Sequence, residues 1–233
     1  MTDINTRKPG RPSRLSREKI ARAALQIGLD RVTLTSLAAR LGADHSSLYR
    51  HVTGREEIIA LAAQIAVEEL DWRAPEATGW RDELVILTDA LWALYERNPG
   101  LAQAVHRGEI TPEAGMRSFA ESVARLQAKG FPLDEALVAV DMLVDMVGEC
   151  FLGWWSIATT DDDGRQQRQR MIELWEAQAD EAPDYREQLM GMSAIMHAGR
   201  RQWWEIKRDL VLEGIAATRA RNTALDDTAA GDP

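Results

Sequence analysis

Residues Leu133 to Trp155 form a long run that is apolar on most sides when wound at helical spacing. A helix of that kind needs apolar partners around most of its circumference, and the chain has helical material to supply them. Met116, Phe119, Val123 and Leu126 form a stripe that ends at Lys129-Gly130. Gln166 to Ala179 reads as another helix, and Arg186 to about Ala217 as a second long one carrying Met190, Ile195, Trp203, Trp204, Leu210 and Ile215. Prolines 75, 99, 112, 132 and 183 punctuate the region, Asp161 to Gly164 reads as an acidic loop, and no alternation of strand type or internal repeat appears. The expected fold is therefore all-α, with a helical-bundle body over residues 71–217. Residues 218–233 are polar and small and are expected to be a disordered tail.

Ahead of the body, residues 15–70 have a different grain. Ser16 is placed to cap a helix whose apolar positions Ile20, Ala23, Ala24 and Ile27 precede Gly28, a helix stop. Thr35 is placed to cap a second helix, Ser36 to Leu41, which ends at Gly42. Asp44 or His45 then opens a third, Ser46 to Val52. Two short helices around a glycine turn cross steeply, the geometry that lets the second enter a major groove. From Arg55 an amphipathic fourth helix runs to about Leu70 and joins this three-helix head to the body.

Charge divides the chain at the same place. The net charge is −9, yet residues 1–55 hold 11 of the 28 Lys and Arg against four acids, a net of +7, leaving −16 for the rest. A basic head on an acidic body confines polyanion contact to one end. Residues 1–14 carry Arg7, Lys8, Arg11 and Arg14 among Pro9, Gly10 and Pro12, and read as a flexible basic arm. The longest strongly apolar stretches, such as Phe151 to Trp155, fall far short of the roughly 20 residues of a membrane span, and the N-terminus lacks the apolar core of a signal peptide. With one cysteine, Cys150, there is no disulfide framework or multi-cysteine zinc site. A cytoplasmic protein without cofactor or metal is expected, and Cys150 reads as a small core residue.

The stretch from Val32 to Ile58, including Leu48-Tyr49-Arg50-His51, closely resembles the head of the tetracycline-repressor (TetR) family. Two body segments, Tyr95 to Gly108 and Lys129 to Leu137, look like the tetracycline-repressor branch itself, so the resemblance covers most of residues 15 to 155. It implies a homodimeric repressor whose third helix reads a double-stranded DNA operator. It also implies that two body helices per subunit build a four-helix dimer interface and that an effector in the body changes head separation. His106 matches the position where tetracycline-binding relatives present a histidine to drug-bound magnesium, but a lone loop histidine is more often structural, and no metal role is assigned to it.

The residues themselves name candidates for DNA binding. Ser46 and Ser47, in the first turn of the third helix, can bond base edges or phosphates, or simply cap. Arg50 can fork to guanine or pair with phosphate, and Tyr49 can donate to phosphate. His51 reads as a packed residue. Thr35 and Arg55, each at a helix start, are placed to hold phosphate. Arg11 and Arg14, with the rest of the arm, either follow the minor groove or add salt-dependent affinity.

For an apolar or aromatic effector the candidates are Trp92, Tyr95, His106, Phe119, Met142, Met146, Glu149, Trp154 and Trp175, residues of a kind that line pockets and equally build cores. Asp145 and Glu149 lie one turn apart as polar anchors, and one member of each pair Trp154-Trp155 and Trp203-Trp204 is expected to pack. There is no nucleophile elbow, phosphate loop or paired zinc histidines. Ser16-Arg-Glu-Lys19 matches a Ser-x-x-Lys pattern but reads as a cap followed by exposed charges, so an enzyme is not expected. The reading is a repressor released from a palindromic operator by a small apolar effector. The alternatives are a regulator, repressor or activator, that is constitutive or controlled by a protein partner.

Overall fold

The computed structural model describes residues 15–76, 78–157 and 167–230, and among them every regular element is a helix. The arm residues Arg7, Lys8, Arg11 and Arg14 and the acidic loop Asp161–Gly164 lie outside the described residues.

The first four helices are set by their caps. In α1 (Arg17–Ile27) the Ser16 hydroxyl accepts from the Lys19 N–H, and Gly28, at φ 97°, ends the helix by donating to Ala24 O. Helix α2 (Leu34–Leu41) starts earlier than expected. Its cap is Thr33 rather than Thr35, because Thr33 and Ser36 bond each other's backbone N–H reciprocally, and Thr35 falls inside the first turn. Gly42 closes it in the left-handed conformation. Helix α3 (His45–Tyr49) is capped by Asp44 and is shorter than the sequence suggested, ending at Tyr49 with Arg50 as its C-cap instead of running to Val52. Helix α4 (Arg55–Glu68) packs along α1.

The chain divides into two compact units, and the boundary departs from a simple cut at residue 70. The first unit joins the residues up to Leu70 with Leu94–Arg117. It thus includes the end of α5 (Trp80–Arg97), all of α6 (Leu101–His106) and the start of α7 (Glu113–Gln127). The reason is local. The Leu29 N–H donates to Pro99 O at 2.7 Å, bringing the start of α6 against the turn between α1 and α2. Gly100 makes this approach possible: at φ 90°, a Cβ there would lie 2.2 Å from the Asp30 backbone nitrogen.

The second unit comprises Asp71–Ala93 and the chain from Ser118 onward. Its long helices are α8 (Leu133–Ile157), α9 (Gln167–Glu181), α10 (Arg186–Ala198) and α11 (Arg200–Ala230), with a single 3-10 turn at Pro183–Tyr185. The expected helix from Arg186 to about Ala217 is two helices, because Gly199 at φ 93° breaks it, and α11 continues through Ala230. Trp92, Trp204 and Phe151 form the core: the two indoles stack at 6.1 Å between centroids, and Phe151 meets Trp92 edge-on at 5.4 Å. Asp89 ties α5 to α11, accepting from Arg201 at 2.6 Å and Arg208 at 2.9 Å. Buried Glu83 is held by Arg125 and by Lys129 at 3.0 Å.

Helix α8 has two apolar faces of different fate. Ala136, Val140, Leu143, Val147 and Phe151 recur every three or four residues and are buried, whereas Leu137, Val138 and Met142 face solvent. Helix α11 packs with α8 and leaves Ile206 and Leu210 exposed, the latter at 74%.

Substituting Gly100→Ala is expected to cost at least about 2 kcal/mol, since the new methyl meets backbone and not a movable side chain. Urea unfolding checks this, and an unchanged midpoint would mean that the α6 start does not press on the α1–α2 turn.

Candidate functional site

Helix α3 spans only five residues and could not stand alone. Leu48 is fully buried and anchors its inner side, while His45, Ser46, Tyr49 and Arg50 are exposed around the rest, Tyr49 at 55%. At its N-terminus Asp44 Oδ1 accepts from the Ser47 N–H at 2.7 Å and the Ser46 hydroxyl at 2.8 Å. These bonds, the Ser46 one foremost, hold the Asp44 carboxyl below its ordinary range. The capping function weighed for Ser46 and Ser47 thus belongs to Asp44, and the serines are its donors. Ser47 is half-buried, and Thr35 is exposed on the first turn of α2.

Arg55 has other work. Its Nε donates to Val32 O at 3.1 Å and its Nη2 to Leu29 O at 2.9 Å. The guanidinium therefore fastens the α1–α2 turn to the start of α4. Arg17 is likewise engaged, donating to His51 O at 2.9 Å and pairing with Glu57. Glu57 in turn accepts from the Thr53 N–H at 2.6 Å and hydroxyl at 2.9 Å, which keep its carboxyl low. Of the DNA-binding candidates, Thr35 on α2 and Ser46, Tyr49 and Arg50 on and beside α3 are exposed, Ser47 is half-buried, Arg55 is committed to backbone, and Arg11 and Arg14 lie outside the described residues. His45 was missed. As the first residue of α3 it is exposed beside Ser46, and the Asp44 cap was the signal that would have placed it there.

The effector candidates scatter. Trp92 and Tyr95 are buried, Trp92 as a core residue, and Phe119, Met146 and Trp175 are half-buried. His106 is exposed at the end of α6, and no group of three His, Cys, Asp or Glu placed for a metal occurs among the described residues. Met142 lines an apolar groove of about 420 Å³ between α8 and α11. Glu149 and Trp154 line a different cavity of about 360 Å³, shared by α8, α9, α10 and α11. Its other walls, Cys150, Met171, Met192, Met196, Trp203 and Lys207, were not among the candidates. Met192 with Met196 and Trp203 with Lys207 stand four residues apart, each pair on one helix face, and that spacing was the available signal. As expected for the double tryptophan, Trp204 is fully buried while Trp203 turns to the cavity. The side chain of Trp155 lies outside the described residues.

A capped helix-turn-helix with an exposed third helix, followed by an aromatic-cored helical body, is the architecture of a class of DNA-binding transcriptional regulators. Residues 74–219 match the model of the tetracyclin repressor-like C-terminal domain, and the chain belongs to the TetR family. It is similar to the HTH-type transcriptional repressor DrrR1 of Streptomyces coeruleorubidus, 29% identical over 145 residues, which cover 58% of this chain and 53% of that one. The chain spans about half the length of the curated relatives it matches. Among solved structures, ActR of Streptomyces coelicolor in complex with actinorhodin superposes at a TM-score of 0.72, with 22% identity over 88% of this chain and 97% of that one. A TetR from the same organism, described as a transcriptional regulator, superposes at 0.64 with 26% identity over 87% and 98%. No helix among the described residues is long and apolar enough to cross a membrane.

Arg55→Ala is expected to destabilise the protein without DNA by about 1–3 kcal/mol, leaving two carbonyls short of a donor. An unaltered unfolding curve would return Arg55 to the phosphate contacts. Asp44 and Glu57 are both held low in the fold, so the stability they add is present above the unfolded carboxylate pKa, about 4, and is lost as pH falls below it. Asp44→Asn, which keeps a capping oxygen, should flatten the acid limb of the stability profile, and an unchanged limb would remove Asp44 from it.

Proposed function

We propose that the protein is a dimeric repressor that binds a palindromic DNA operator through α3 and is released by a small apolar or weakly polar effector bound in its body. The observation that carries the DNA half is the exposed surface of His45, Ser46, Tyr49 and Arg50 on a helix seated by buried Leu48. These residues include the hydroxyl and guanidinium donors that suit base edges and phosphates, and Thr35 adds a hydroxyl from α2. The basic character of residues 1–55 supports the same partner, and the arm with Arg11 and Arg14 would add electrostatic affinity.

The dimer half rests on what α8 and α11 leave uncovered. Leu137, Val138 and Met142 on α8, and Ile206 and Leu210 on α11, form apolar surface that a second copy would bury as a four-helix bundle. Two heads then reach successive major grooves, about 34 Å apart. Effector control is supported by the cavities of the body and by ActR, a protein of the same fold, having been solved in complex with actinorhodin. A ligand acts only through unequal affinity for the two head spacings. Within the head unit, α4 and α6 grip one turn between α1 and α2, so a displacement of either is passed to the groove-facing helices.

The test is a shift titration of purified protein on its own upstream intergenic DNA, with and without a library of hydrophobic compounds. A saturable shift released by one compound supports the proposal, a shift that none releases leaves a constitutive or protein-controlled regulator, and no shift on any fragment of a random-site selection removes the DNA reading. Arg50→Ala should lower specific affinity by about 1–3 kcal/mol while leaving non-specific binding nearly intact. Equal operator affinity would take Arg50 out of the readout. Val138→Glu with Leu210→Glu should shift sedimentation toward monomer and weaken operator binding, and an intact dimer would place the interface elsewhere.

A further inference from the structure

The cavity of about 360 Å³ in the body is lined by the ammonium of Lys207, which forms no ion pair among the described residues. Lys207 is half-buried on α11, one turn beyond Trp203. Its ammonium lies 5.1 Å from the Trp203 ring centroid and 3.8 Å from the Cys150 sulfur. Neither neutralises it. Burial pushes the Cys150 thiol above its ordinary range, so the sulfur beside Lys207 is a neutral thiol at physiological pH.

Two neighbouring cations of the same helix are treated differently. Arg201 pairs with Asp89 and Glu205, and Arg208 pairs with Asp89 and Asp209. Lys207 forms no such pair among the described residues. A half-buried ammonium facing apolar walls gains from any anion that reaches it, because the partly excluded water screens the attraction less than bulk solvent does.

The walls specify the remainder of the ligand. Trp154, Met192 and Met196 join Trp203 around the cavity, and indoles and polarizable thioethers pack against the faces and edges of aromatic rings. The volume lies toward the small end of the roughly 300–1,000 Å³ spanned by small-molecule sites. Glu149 is the one carboxylate on the lining and is exposed, where solvent screens its repulsion.

We propose that this cavity binds a planar aromatic anion, with its rings among Trp154, Trp203 and the methionines and its acidic group against the Lys207 ammonium. This rests on the reading of the body as an effector-binding unit, and adds to it the charge and shape of the ligand.

Two naphthylamine dyes that differ in one acidic group test it on the full-length protein: 1-anilinonaphthalene-8-sulfonate and its neutral counterpart N-phenyl-1-naphthylamine. Fluorescence titrations of the wild type, Lys207→Met, Lys207→Arg and Gly153→Leu give their affinities. A Cβ at Gly153 meets nothing within 4 Å, and leucine is the better helix former, so Gly153→Leu fills the cavity while keeping the fold.

The expected result is that Lys207→Met weakens the sulfonated dye at least about tenfold and the neutral dye by less than about twofold, while Lys207→Arg retains both. Gly153→Leu should weaken both. An unchanged affinity of the sulfonated dye in Lys207→Met, an equal loss of both dyes, or binding that survives Gly153→Leu would overturn the proposal. Operator release is scored separately. A compound that frees DNA from Lys207→Met at wild-type concentrations, with dye binding unaffected, leaves the effector reading standing and this inference refuted. Loss of the sulfonated dye without any releasing compound gives the reverse.

Discussion

The turn from Leu29 to Val32 is the point on which the head depends. It receives the Arg55 guanidinium on two of its carbonyls from α4, and its Leu29 N–H is taken by Pro99 O at the start of α6. Each of these contacts satisfies a backbone group that the tight link between α1 and α2 would otherwise leave short of a partner. Gly100 is the steric condition for the arrangement, because its missing Cβ is the space that the Asp30 backbone occupies. One short turn is thereby fixed from two directions, by segments distant in sequence.

That fixation matters because α3 has no stability of its own. A helix of five residues forms too few internal bonds to offset its nucleation cost, so its orientation comes from Leu48 below, the Asp44 cap in front and the packing of α2 behind. Anchoring by a few buried groups leaves the outer side chains free to be polar, which is the division of labour that surface recognition requires. The same logic runs through Arg17 and Glu57, charges spent on holding α1 to the α3–α4 region.

Much of this head was legible in the sequence because caps are local. Ser16, Gly28 and Gly42 act on neighbours within four residues, and their chemistry can be read from spacing alone. The cap was read at Thr35 instead of Thr33 because both are β-branched hydroxyl residues two positions apart, and only the reciprocal bond with Ser36 separates them. Arg55 illustrates what spacing cannot show. A basic residue at a helix start looks the same whether its partner is a phosphate or the carbonyl of Leu29, 26 residues away. The break at Gly199 was missed for a related reason: one glycine inside a periodic pattern is tolerated by many helices, and its φ of 93° marks where the chain leaves α10 and enters α11.

The body shows the limit of reading function from residue type. Aromatic side chains were the natural candidates for a ligand site, yet Trp92 belongs to the Trp92–Trp204–Phe151 core, stacked on one ring and met edge-on by the other. What distinguishes a lining residue from a core residue is the direction in which it points, and adjacent residues on a helix diverge by about 100°. Trp203 and Trp204 are chemically identical neighbours of opposite fate for that reason. The same angular step carries Lys207 to the Trp203 side one turn later, while Arg208 follows Trp204 inward to meet Asp89. The polarity of the cavity is therefore a consequence of helical phase: Lys207 stands on the face of α11 that meets methionines and tryptophans, with Glu149 as the one carboxylate on the lining, whereas Arg208, one step further round, meets Asp89.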